Sequence, residues 1–106
     1  VTIRFAIKGK RWRVTLLTDR SFFKHDQTAL ALCELPPDRR ILLKKSQINL
    51  QNIMHEVFHA FKSECCLNSA ELDSSQVEEL MCDIFAEHGE EALELSRWIL
   101  KEITKQ

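Results

Sequence analysis

The chain has 106 residues, of which 44% are hydrophobic and 29% charged, and a formal net charge of −1. That length suits one domain, 1–106, with a single modest core. The composition is that of a globular, soluble chain and excludes a disordered one. No apolar run approaches the roughly 20 residues of a membrane span, and the opening VTIRFAIKGK lacks the pattern of a signal peptide, so a cytoplasmic monomer is expected.

The first elements read as strands. Val1, Ile3, Phe5 and Ile7 alternate with polar residues, Gly9 allows a turn, and Trp12, Val14 and Leu16 alternate again, which predicts a hairpin. Residues 18–27 are polar around Phe22-Phe23 and read as a short helix or loop. A third strand is expected over Ala29–Leu35, ended by Pro36-Pro37, and a fourth over Arg40–Lys44. Charge is uneven along the chain. Residues 1–53 hold 11 Lys+Arg against 4 Asp+Glu, and residues 54–106 hold 4 against 12. The cations alternate with apolar residues, so they read as the solvated face of a sheet rather than a nucleic-acid surface.

Helices follow. Ser46 or Asn49 can cap one that runs to about Cys65, with Leu50, Ile53, Met54, Val57 and Phe61 on one arc. After a connection over 67–73, Asp73 or Ser75 can cap the next, with Gln76 or Glu78 completing a capping box. Gly89 is expected to end or kink it, and a last helix is expected over Ala92–Thr104. The fold class is therefore α+β: a small, mostly antiparallel sheet of about four strands, then three helices. Cys33, Cys65, Cys66 and Cys82 show no Cys-x-x-Cys spacing and are expected as reduced thiols.

The first of these helices carries His55-Glu56-Val57-Phe58-His59. Four steps of about 100° return to within about 40° of the start, so both imidazoles share one side and can reach one metal ion. The pair falls about 150° from the centre of the apolar arc, which opposes a reading as core histidines. Glu56 stands one step round, where a carboxylate can take a proton from a metal-activated water. A catalytic zinc needs a third protein ligand. On the next helix Glu79 and Asp83 lie one turn apart, opposite an apolar arc of Val77, Leu80, Met81 and Ile84. If the two polar faces meet across a cleft, His55, His59 and Glu79 surround one ion. Glu78 is the neighbouring alternative, nearer the apolar arc and without an Asp four residues on.

These two segments, HEVFHAF and Glu79-Leu80-Met81-Cys82-Asp83, resemble the gluzincins, the thermolysin-like zinc peptidases, and the layout resembles their minimal single-domain members, including small phage-encoded ones. The resemblance implies one zinc per chain held by His55, His59 and Glu79, with Glu56 as catalytic base and Asp83 orienting His55. It implies a peptide or protein substrate lying extended along an edge strand, Ala29–Leu35 being the expected one, with no role for nucleic acid or membrane. The alternative is a catalytically weak or inactive zinc-binding regulatory domain. One departure stands out: full-sized gluzincins stabilise the oxyanion with a Tyr or His from another segment, and this chain has no Tyr. His88 falls on the apolar arc of its helix and His25 precedes the third strand, so neither is well placed for that role.

Overall fold

The computed structural model describes residues 2–65 and 72–105; the expected connection over 67–73 and Cys66 lie mostly or wholly outside them. Strands β1 (Thr2–Ile7) and β2 (Lys10–Leu17) form the expected hairpin, with Ile7 opposite Lys10. Its two-residue loop holds Lys8 at φ 50° and Gly9 at φ 75°. Positive φ at both loop positions matches the strand twist, and Gly9 takes such a conformation at no steric cost. Helix α1 (Asp19–Phe23) follows, capped by the Thr18 hydroxyl, which accepts from the Ser21 amide at 3.2 Å. Strands β3 (Ala31–Glu34) and β4 (Arg40–Lys44) pair antiparallel, β3 being shorter than the Ala29–Leu35 expected.

The sheet order is β1-β2-β4-β3, and β2 runs parallel to β4. The sheet is therefore mixed: two of its three pairings are antiparallel, in line with the mostly antiparallel sheet expected, and one is parallel. The reason is the crossover: α1 and β3 lie between β2 and β4 in the chain, long enough to bring β4 back in the same direction. β3 becomes the outer strand on that side. Ile41 and Leu43 of β4 face the main core, while Leu42 faces the other side and is buried, as is Phe22 of α1, which covers that part of the sheet.

Helix α2 (Leu50–Cys65) begins at Asn49, whose side chain accepts from the Asn52 amide at 2.8 Å. Helix α3 (Ser74–Thr104) begins at Asp73 in a full capping box with Gln76. It runs unbroken for 31 residues, so the two helices expected on either side of Gly89 are one. Gly89 is not in the left-handed region, and a Cβ there would meet only Phe85 at ordinary contact distance, 3.7 Å. An interior glycine then costs about 1 kcal/mol relative to alanine, which the stripe continuing through Ala92, Ile99 and Ile103 outweighs at roughly 1.5–3 kcal/mol per large buried side chain. The core joins Ile3, Trp12 and Val14 of the sheet to Ile53, Val57 and Phe61 of α2 and to the α3 stripe. Among the described residues no helix is long and apolar enough to cross a membrane.

Candidate metal centre

Helix α2 is wedged between the sheet and α3, and this wedge decides what its side chains can do. Ile53, Val57, Ala60 and Phe61 are buried, while His55 and His59 emerge on the open side. Their Nε2 atoms converge to 3.2 Å, with the rings at 76° to each other. Two ligands held about 2.0–2.1 Å from a tetrahedral ion stand about 3.3 Å apart. The imidazole pair therefore already has the bite of a zinc-class cation, and the borderline-soft nitrogen donors suit it. His59 titrates below the ordinary histidine range, chiefly through partial desolvation, then through the charges of His55 and Lys62, which favours the neutral, ligating form.

Glu56 completes the group: its carboxylate and the two imidazoles have ligand atoms within 4.8 Å of one another. It is only 5% exposed, and His55 Nε2 lies 3.7 Å from its Oε1. Burial pushes its carboxyl above the ordinary range, and His55 opposes this only in part. A carboxylate with a raised pKa beside two metal donors is suited to accept a proton.

Cavities flank the pair on both sides. Toward α3 lies one of about 400 Å³, lined by Met54, Phe58, Met81 and Lys62 with both histidines. Toward the sheet lie two of about 300 and 290 Å³, bordered by residues 29–33 and Leu35 and meeting at Glu56. β3 borders these cavities, and among the described residues it pairs only with β4. Cys33 on β3 lines one of them; burial, with the charges of Glu56 and Glu34, pushes its thiol up to about 12, so without a metal it is a neutral wall of the cavity. Among the described residues Cys33, Cys65 and Cys82 are free thiols.

The structure does not bring Glu79 or Asp83 to the histidines. Both are exposed, and neither belongs to the His55–Glu56–His59 group. The expectation that the two polar faces meet fails because the helices join through their apolar stripes. Phe85 stacks on Phe58 at 6.0 Å, His88 lies over Phe61 at 5.5 Å, Ile84 is buried, and Met81 reaches the histidine cavity. The histidines sit on the flank of this joint, so only the flank of α3 that carries Met81 and Phe85 can approach them. At about 100° per residue, Glu79 and Asp83 are each about 160° round from Met81, whereas Glu78 is about 60° from Met81 and about 20° from Phe85. Glu78 is therefore closer in helical phase to the residues of α3 that reach the site, and like Glu79 it is exposed and outside the His55–Glu56–His59 group.

Two more residues belong to the site that the sequence reading passed over. Gln51 and Lys62 continue the His55–His59 stripe one turn before and one turn after, and both line the cavity. Their spacing to the histidines was the available signal. His88, as expected, packs against the core, and His25 lies near Glu34. Comparison of the chain with known protein families, curated proteins and solved structures finds no match.

Proposed function

We propose that the chain is a zinc-dependent peptide hydrolase, in keeping with its resemblance to the minimal gluzincins. The single observation that carries this reading is a histidine pair with the bite of a metal site beside a buried, otherwise unneutralised carboxylate. His55 and His59 would hold the ion, with Glu78 rather than Glu79 as the third ligand, because by helical phase Glu78 is nearer to Met81, which lines the histidine cavity, and to Phe85, which stacks on Phe58. A zinc ion held there supplies Lewis acidity, polarising a carbonyl and lowering the pKa of water from about 15.7 toward about 7.

The chain's own residues do the rest. Glu56 takes the proton of the attacking water and returns it to the leaving amine, a role for which its raised pKa fits it. The free edge of β3 pairs with an extended substrate, main chain to main chain, along the cavities that meet at Glu56. Lys62 and Gln51 bracket the histidines and are donors available to the developing oxyanion in a chain without Tyr. Zinc analysis of protein purified without chelators, followed by cleavage of a peptide library by wild type and Glu56→Gln, tests the proposal. Chelator-sensitive cleavage by wild type alone supports it; protein that neither retains nor binds zinc on titration sinks it.

A second reading is a metal-holding domain without turnover. The observation in its favour is that, among the described residues, no carboxylate of α3 joins the His55–Glu56–His59 group. Zinc-loaded wild type and Glu56→Gln that are equally inert across a broad library would select it.

A further inference from the structure

The sheet carries a second concave site far along the chain from the histidines, and its chemistry is the opposite. β4 pairs with β2 only from Arg13 onward, leaving Lys10–Trp12 of β2 without a strand partner on that side among the described residues. In the space so left lies a cavity of about 610 Å³, lined by Arg4, Arg11, Arg13 and Arg39 with Phe5, Ala6, Trp12 and Asp38. This volume is within the range of small-ligand sites.

The charges there are placed against the sheet's own stability. Arg4 stands directly opposite Arg13, which is in register with Arg40, itself opposite Glu34. One row across four strands thus holds three guanidiniums and a single carboxylate, and that carboxylate is bound by Arg40 at 2.5 Å. Arg39 is likewise engaged, by Glu64 at 2.6 Å. Among the described residues Arg4, Arg11 and Arg13 form no ion pair. Like charges directly opposite in a sheet destabilise it, so a solvated face explains the exposure of these arginines but not their convergence. The nearby acid, Asp38, is one charge against four.

We propose that this cavity binds a phosphate-chain ligand, with Arg4, Arg11 and Arg13 as its anion-contacting residues and Arg39 as a wall held in place by Glu64. The ligand is a phosphate chain because every contributed cation is arginine, whose rigid fork matches phosphate oxygens two at a time, where lysine would act as a point charge. Three unpaired guanidiniums call for more than one anionic group. The chain could belong to a nucleic-acid strand or to a small polyphosphate; the chemistry at the arginines is the same. This site is independent of the hydrolase reading and stands if that reading fails.

The test is fluorescence anisotropy of a labelled single-stranded DNA oligonucleotide with the full chain, competed by inorganic tripolyphosphate, together with calorimetric titration of tripolyphosphate alone. Binding that weakens about tenfold or more in Arg4→Gln/Arg13→Gln and in Arg11→Gln, but not in Arg97→Gln or Lys101→Gln on α3, supports the site. For the oligonucleotide a log–log salt slope of about −1.4 to −2 is expected, as two or three phosphate contacts require. Tripolyphosphate binding alone assigns a small ligand, and binding of both assigns a strand. Thermal unfolding guards against a folding artefact: with no ligand, Arg4→Gln should raise the midpoint, because the facing guanidiniums repel. No binding of either probe by wild type overturns the proposal, as does equal weakening by the α3 controls, which would mean bulk charge alone. Binding only to anionic lipid vesicles also overturns it, in favour of a membrane surface.

Discussion

Glu56 and Glu64 lie two turns apart on α2 and are buried to nearly the same degree, with side chains 7% and 4% exposed. Their surroundings differ completely. Glu64 Oε1 accepts from the Trp12 indole at 3.0 Å and from Arg39 at 2.6 Å, so its charge is paired and that oxygen is anchored to the sheet and to the loop before β4. Glu56 has, among the described residues, only the His55 imidazole near its carboxylate, at 3.7 Å, and opens onto cavities on the β3 side. A buried carboxylate with partners holds a fold together. One without partners destabilises it, and is kept where a proton has to move. The comparison separates structural from functional burial within a single helix.

The largest expected effect concerns Glu56. Glu56→Gln should retain zinc and lose about 10²–10⁴-fold in peptide cleavage, the usual contribution of general acid–base catalysis. Measured as kcat/KM on a susceptible peptide, a loss below about tenfold would mean that Glu56 is not the general base. Glu64→Ala should act on the other axis. It strands Arg39 and the Trp12 indole and should cost about 2–4 kcal/mol in urea unfolding, the lower end reflecting Arg39's partial exposure, with zinc content unchanged in the folded fraction. A cost below about 1 kcal/mol would show that Glu64 does not anchor the helix.

Metal affinity sharpens the comparison by bringing in α3. Glu78→Ala should weaken zinc binding by about a hundredfold or more in a competition titration, since it is assigned as a ligand. Glu79→Ala, about 160° round the helix from Met81, should change it by little. The reverse ranking would restore Glu79 and mean that α3 rotates in the zinc-bound protein. In the metal-free protein, Glu56→Gln should stabilise the fold by about 1 kcal/mol by removing a buried charge that lacks a partner. Destabilisation by the same substitution would mean that Glu56 has a structural role after all.

The smallest effect belongs to a third glutamate. Glu34, bound by Arg40, titrates below the ordinary range because of that hydrogen bond. A depressed carboxylate adds stability that is present above its unfolded pKa and is lost as pH falls through its folded one. Both partners are partly exposed, so the expected contribution is about 0.5–1 kcal/mol. Glu34→Gln should flatten the acid side of the stability profile by that amount and leave neutral-pH zinc binding unchanged.

Local physics made the centre of the site legible in the sequence. An i, i+4 histidine pair on a capped helix meets wherever that helix packs, because the spacing is set by the helix itself, and the alternation around Lys8-Gly9 likewise carries the hairpin within one short stretch. Anything that depends on how two distant segments turn toward each other was decided only in three dimensions. The β2–β4 pairing is parallel because of what lies between them in the chain. α3 is one helix because its apolar stripe crosses Gly89 without needing a side chain there. The face it turns toward α2 is set by Phe85 on Phe58 and His88 on Phe61, so the two helices meet through apolar residues and not through the polar faces that carry the histidines and Glu79. Glu56 and Glu64 are both plain glutamates on paper. Only the arrival of Trp12 and Arg39 at one of them, from the sheet and from the loop before β4, makes it part of the scaffold and leaves the other free for chemistry.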